Sequence, residues 1–467
     1  MMTMAPLERF DDDYILYPKR WIVLAAFSTV SLVNNWIWIT WSPIAAEIAI
    51  FWSVPVADVD AISAVYMYLY LPFCFVSMYL IVDVLGLSRG LWLGSAINAL
   101  GAIIRLCGRK SFGWVYAGHF LCSAAQTFTM SVPPMLAAKW FGDHERATAT
   151  AIGVLCNQFG SALGLGSTIL INFFHSNGTV NDLVLEQYLA FQAFLALAGF
   201  LALVVFLRTD EPPTPPNLAE ATRQEQENQK KILPVHELDE NYPVTESTSL
   251  QQSTAPNPQS ADTNHDPSFQ ESLRICITKG WAFAIVFGLT VGDFYSIPTF
   301  ISQFVPTWTP SAVGWLGLAY QTTGVMGSFI TGRVVDRFHN QNVMIRLLLL
   351  GAVLSWGLFF LFRGYAATQP WLVFVAFIGT GFGLASSSAL GYEIGASVTY
   401  PANEATMGAV MQFLAQLFSF GSVIIGGWIG AGNPYIVVCW GCIIVALGIL
   451  LSISTDSKRP SSDTARA

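Results

Sequence analysis

Apolar residues gather along this chain in twelve long runs, and polar residues mostly fall between them. The runs cover 21–48, 58–82, 90–107, 113–139, 147–173, 186–207, 280–304, 311–332, 346–363, 371–398, 405–430 and 435–454. A helix needs ~17–25 apolar residues to cross a hydrocarbon layer. Each run therefore predicts a spanning helix, and the longer ones predict tilted or bent helices. Six runs, a polar gap and six more runs divide the chain into a tail (1–20), a half (21–207), a linker (208–275), a second half (276–455) and a tail (456–467).

The gap differs in kind. "TDEPPTPPNLAEATRQEQENQKK" and "STSLQQSTAPNPQSADTNHDPS" are rich in Pro, Gln, Ser and Asn. Such a segment buries too little apolar surface to offset its ordering entropy, so a disordered linker is expected. The N-terminus "MMTMAPLERFDDDYILYPKR" lacks a cleavable-signal pattern, and the first span is expected to remain in the mature protein.

Composition agrees with the runs. Of 467 residues, 53% are hydrophobic and 11% are charged. So few charges cannot cover a water-facing surface, for which ~25% is usual. The net charge of −8 comes largely from the linker, and no basic stripe suited to nucleic acid exists. Cys74, Cys107, Cys122, Cys156, Cys276, Cys439 and Cys442 lie in or beside apolar runs, without metal-ligand spacing. They read as small hydrophobes.

Lys and Arg set the orientation. With both termini and the linker in the cytosol, all but four of the 22 basic residues lie inside. The four outside are Arg105, Arg109, Lys110 and Arg363. The connection between spans 5 and 6 is then external and carries the sequon Asn177-Gly178-Thr179. The span 2–3 and span 8–9 connections, "VDVLGLSRG" and "GRVVDRFHNQ", echo one another. Asp83 with Arg89, and Asp336 with Arg333 or Arg337, are candidate locks between helix ends. The reading is an all-α membrane protein of twelve transmembrane helices with the major facilitator superfamily fold, two six-helix halves rocking about a midplane site.

No enzyme signature is present: there is no phosphate loop with its Lys, no His-x-x-x-His pair and no nucleophile elbow. An enzyme is not expected, nor is a cofactor or a metal. The informative residues are the few polar and aromatic ones at mid-span depth. Asn34 and Trp38 are four apart on span 1 and share a face. Asn35 points about 100° away, towards a neighbouring helix. Span 2 offers Met67, span 4 Gln126, span 5 Asn157 and Gln158, span 7 Phe294 and Tyr295, and span 11 Gln416. Each has a plainer alternative: Trp36 and Trp41 as an interfacial belt, single amides as helix glue, and Met67 as packing. Together they predict an uncharged cavity walled by π-faces. It suits a small organic cation, drawn to Trp and Tyr by ~2 kcal/mol when desolvated. Asp293 and Glu393 are the intramembrane acids, candidates for cation attraction or proton coupling.

"SLVNNWIW", "VYMYLYLP", "CSAAQ" before "AAKWFG", "CNQFG", "DFYS", "GYE" before "TYPANE", and "AQLF" occur in order. Together they resemble the feline leukaemia virus subgroup C receptor-related transporters, across both halves but not the tails or linker. That family is similar in carrying choline and ethanolamine by facilitated diffusion, with heme export an older assignment. The resemblance implies that Trp38 and Tyr295 cage the ammonium, that Gln126 and Gln416 bind the hydroxyl end, and that Asn34, Met67 and Asn157 line the pocket. The chain departs from the pattern at Asn35, Trp36 and Asp293. "ITWSPIA" is similar to a related branch linked to pyridoxine transport. The expected partners are a small-molecule substrate and the lipid bilayer, with no nucleic acid and a monomer as the working unit. A multi-pass position in the plasma membrane is expected, an organelle membrane being the alternative.

Overall fold

The computed structural model describes residues 15–216 and 269–453, apart from 168, 170–180, 339, 401, 403 and 431. The two terminal tails up to 14 and from 454, residues 217–268 of the linker, and the sequon at Asn177 lie outside the described residues. So do the side chains of Asp83 and Asp336, and with them the candidate locks. Arg89, Arg333 and Arg337 are exposed.

Span 1 is α1 (Lys19–Ile39), a 3-10 turn (Ser42–Ile44) and α2 (Ala45–Trp52). Span 2 is α3 (Val56–Tyr79), which runs into a π-helical turn, Leu80–Leu85. Span 3 is α4 (Gly86–Cys107), and span 4 is α5 (Phe112–Gln126) followed by α6 (Pro133–Trp140). Spans 5 and 6 are α7 (Asp143–Leu165) and α8 (Asp182–Phe206). The second half starts with α9 (Phe269–Lys279). Span 7 is α10 (Trp281–Thr299) and the short α11 (Ile301–Phe304). Spans 8 to 12 are α12 (Pro310–Phe338), α13 (Gln341–Phe362), α14 (Pro370–Val398), α15 (Glu404–Ile429) and α16 (Asn433–Ser452).

Among the described residues, nine helical segments are long and apolar enough to cross a membrane. The other three expected spans are 4, 5 and 8. Span 4 breaks before Pro133, which cannot donate to the preceding turn, so neither α5 nor α6 spans alone. α7 and α12 have the length, at 23 and 29 residues, but carry more polar side chains.

The two halves meet through span 2 against span 11 and span 5 against span 8. Span 8 is the counterpart of span 2, and span 11 of span 5. The two contacts are therefore one contact repeated by the internal two-fold symmetry. Within the first half, span 1 lies on span 5 at glycine level: a Cβ at Gly160 would collide with the Leu32 carbonyl oxygen. The chain ends on either side of the bundle define a terminus face, where α1 starts and α16 ends, and a far face.

The linker expectation is corrected at both ends. Residues 269–275 belong to α9. Residues 208–216, although rich in Pro, are docked on the terminus face. α4 starts without a side-chain cap of its own. Asp210 supplies one: its Oδ1 accepts from Ser88 N at 2.7 Å and from the Ser88 hydroxyl. Trp140 Nε1 donates to the Asp210 carbonyl at 3.0 Å, and Lys139 pairs with Glu211 at 3.1 Å. The carboxylate packs where Gly86, at φ +81, has no side chain. Asp210→Ala removes a charged cap and is expected to cost ~0.5–2 kcal/mol. Gly86→Ala adds backbone strain of ~1–3 kcal/mol and displaces the same carboxylate. Thermal unfolding of both variants checks this; a wild-type midpoint for Asp210→Ala would show that the docked segment is ornamental.

Candidate functional site

A small cavity lies between the halves and is lined by residues of both. Every span contributing to it does so where its polar residues fall: Ser31 from span 1, Asn157 and Gln158 from span 5, Tyr295 from span 7 and Tyr392 from span 10. The break in span 4 adds Met130. No Lys, Arg, His, Asp or Glu is among the lining residues.

Tyr295 lines the cavity and meets Trp38, which does not, so that one ring comes from each half. Their ring centroids are 5.5 Å apart at 88°, edge to face. Trp38 Nε1 is anchored on the Ser63 carbonyl at 3.1 Å. The Tyr295 hydroxyl interacts with the amides of Gln158 and Gln412. Beyond this pair the far face is bridged across the halves: Ser42 Oγ donates to the Thr299 carbonyl at 3.2 Å, and Gln303 Nε2 to Asp60 Oδ2 at 3.0 Å. The rings thus stand between a cavity and a closed gate.

The other expected ligands divide. Asn157 and Gln158 line the cavity. Gln416 Nε2 reaches Met130 Sδ at 3.7 Å, and its Oε1 has no partner among the described residues. Gln126 Oε1 likewise has none, at the end of α5. Met67 Sδ accepts from Ser419 Oγ at 3.2 Å, a packing contact between spans 2 and 11.

Asn34 is turned elsewhere. Its Nδ2 donates to Asn98 Oδ1 at 2.9 Å and to the Cys122 carbonyl at 2.7 Å. It joins span 1 to spans 3 and 4, the helix-glue alternative. Asn35 bonds the Asn157 carbonyl at 2.8 Å and Ser161, as its helical angle predicts. Trp36 and Trp41 are not an interfacial belt, because both are buried in the protein. Trp36 donates to the Tyr188 hydroxyl at 2.8 Å.

Phe294 stacks on Tyr320 of span 8 at 5.4 Å. Asp293 faces the packed interior of the second half, beside Tyr320, Tyr435 and Cys439, rather than the cavity. Glu393 is exposed and accepts from Gln341 Nε2 at 2.6 Å. Neither acid is placed to attract a cation in the cavity.

Several lining residues, Tyr392 among them, escaped the sequence reading, as did Gln412 beside it. Tyr392 donates to Gln412 Oε1 at 2.9 Å, and Gln412 in turn meets Tyr295. Gln412 lies four residues before Gln416, so same-face spacing on span 11 was the available signal.

Residues 22–392 match the family described as Major Facilitator Superfamily. The chain is 28% identical to the zebrafish (Danio rerio) protein named choline/ethanolamine transporter flvcr2a, covering 96% of this chain and 89% of that protein. It is 28% identical to the Felis catus protein named choline/ethanolamine transporter FLVCR1, covering 95% and 74%. These relatives bear out the resemblance read in the motifs. Among solved structures, the xylose transporter XylE from E. coli, in a partially occluded inward-open conformation, superposes with a TM-score of 0.68. That match covers 96% of this chain and 100% of XylE at 9% identity, and supports the shared fold alone.

Proposed function

The chain belongs to the Major Facilitator Superfamily, and we propose that it carries choline or ethanolamine across a membrane by alternating access, as facilitated diffusion. The observation that carries this reading is the Trp38–Tyr295 pair, one ring from each half, of which Tyr295 lines a cavity without charged side chains. The edge-to-face contact is worth ~0.5–1.5 kcal/mol. A desolvated ammonium on the same rings gains ~2 kcal/mol or more. The cation therefore outcompetes the ring contact and takes its place, which ties substrate binding to the seam between the halves. The names of the relatives, choline/ethanolamine transporters, point the same way.

The amides complete the site. Gln416 and Gln412 on span 11 face the hydroxyl end, and Gln158 supports Tyr295. Gln416→Ala is expected to weaken choline about 5- to 10-fold, and a hydroxyl-free tetraalkylammonium of similar size much less, because one hydrogen bond is worth ~0.5–1.5 kcal/mol. Competition binding on the purified variant reads the difference. Equal losses for both ligands would remove Gln416 from hydroxyl recognition. Heme fits poorly, since its propionates and iron would meet no basic side chain or His among the lining residues.

Orientation is part of the proposal: the terminus face and the linker are cytosolic, on the Lys and Arg bias. Protease added to sealed vesicles is expected to spare residues 217–268 when the cytosolic side is enclosed; cleavage there from outside would reverse the orientation.

Uptake of radiolabelled choline, ethanolamine and pyridoxine into proteoliposomes tests the function. Saturable choline or ethanolamine uptake, cross-inhibited by the other, is the expected result. Pyridoxine uptake without either would reassign the substrate. Binding without flux would make the protein a sensor.

A further inference from the structure

Four basic residues run against the charge bias at the far face, and three are satisfied by neighbours. Arg109 and Lys110 pair with Asp182 and Glu186 at 2.7–3.2 Å. Arg363 donates to the Phe304 carbonyl at 3.0 Å and to Asn433 Oδ1 at 2.7 Å. Arg105, in the last turn of α4, is different. It is 0% exposed, in the interior of the first half. Its Nη1 donates to Gln192 Oε1 at 3.0 Å, and its guanidinium lies 5.3 Å from the Trp41 ring centroid. Among the described residues its Nε and Nη2 have no partner.

Those two N–H groups form one edge of the guanidinium, the edge that matches a two-point acceptor. Elsewhere in this protein the same edge holds a carboxylate. Arg20 grips Glu145 with it at 2.8 and 3.0 Å, and Arg109 grips Asp182 at 3.0 and 3.3 Å. No carboxylate reaches Arg105 among the described residues. Residues 168–180 contain no Asp or Glu. None of the groups around Arg105 is an acid: Gln192 and Trp41 contact it, and Tyr66, Tyr188, Cys122 and the buried His119 lie near it. The Trp41 indole N–H beside it also lacks a partner among the described residues.

A buried guanidinium without a counter-charge is strongly unfavourable. Its open groups are donors only, so the complement is an acceptor that carries negative charge and no protons of its own. Water satisfies a donor but leaves the charge. We propose that Arg105 holds a small monovalent inorganic anion, chloride being the physiological one, inside the first half between spans 1, 3 and 6. The site is separate from the cavity, and nothing in it depends on which solute the protein carries. Bound there, the anion cancels the positive charge beside Trp41, three residues along span 1 from Trp38.

Purified full-length protein in detergent is titrated with chloride against gluconate at constant ionic strength, with the thermal unfolding midpoint as readout. A saturable rise with chloride, reproduced by bromide, is the expected result. Arg105→Met should weaken half-saturation by about tenfold or more, since it removes the charge and both donors. Trp41→Phe keeps a ring over the guanidinium and drops one donor; it serves if Arg105→Met does not fold, and should weaken radiolabelled chloride binding by about 3- to 10-fold. Equal midpoints in chloride and gluconate, with no saturable chloride binding by the wild type, would overturn the proposal. Wild-type chloride affinity in either folded variant would do the same.

Discussion

Trp38→Ala and Tyr295→Ala should each weaken choline binding about 5- to 30-fold, which corresponds to ~1–2 kcal/mol per ring. Each substitution removes one π-face and leaves the other, so neither should abolish binding alone. Trp38→Phe should fall between wild type and Trp38→Ala. It keeps a weaker face but releases the Nε1 contact to the Ser63 carbonyl that fixes the ring. Tyr295→Phe keeps the ring and should lose less affinity than Tyr295→Ala. Equilibrium binding on variants that match wild type by size exclusion and thermal unfolding checks the series. Wild-type affinity in both alanine variants would mean that the rings only pack.

Gly160→Leu should lower stability by ~1–3 kcal/mol or more and weaken choline binding together with it. Spans 1 and 5 touch through backbone here. A Cβ at Gly160 collides with the Leu32 carbonyl oxygen, and one at Gly164 would stand 2.9 Å from the Trp36 oxygen and 2.5 Å from Ile39 Cγ2. The backbone cannot give way as the end of a flexible side chain can. Span 1 must move, and Trp38 moves with it. Gly351→Leu is the control, because a Cβ there meets nothing within 4 Å. It should leave both affinity and unfolding near wild type. Gly160→Leu behaving like Gly351→Leu would contradict the close crossing of spans 1 and 5.

The fold was readable because its signal is local. An apolar run of spanning length reports its environment residue by residue, and twelve runs in two sets of six imply the paired halves. What failed depends on contacts distant in sequence. Residues 208–216 have the composition of a disordered segment, yet Asp210 caps α4 across 122 positions. No local pattern encodes that partner. The same limit divided the candidate site. Helical angle correctly turned Asn35 towards a neighbouring helix, which is span 5. It put Asn34 on the Trp38 face but could not say that Asn98 and Cys122 would occupy its amide first. Trp36 and Trp41 read as belt residues because an indole near the end of a span has two homes, lipid interface and protein interior. Tyr188 and Arg105, from other spans, decide for the interior. Gln412 was missed although it precedes Gln416 by one turn. Tyr392 lines the cavity while its neighbour Glu393, the residue with the stronger chemical signal in the sequence, is exposed.

The pairing of Trp38 with Tyr295 across the two halves is the point on which substrate binding and alternating access both depend. An experimental structure of the full-length protein with choline bound addresses it directly. The trimethylammonium is expected within about 6 Å of both ring centroids, the usual reach of a cation–π contact. The rings should have parted from their 5.5 Å edge-to-face contact to admit it. Choline bound elsewhere, with Trp38 and Tyr295 still edge to face, would contradict the proposed site.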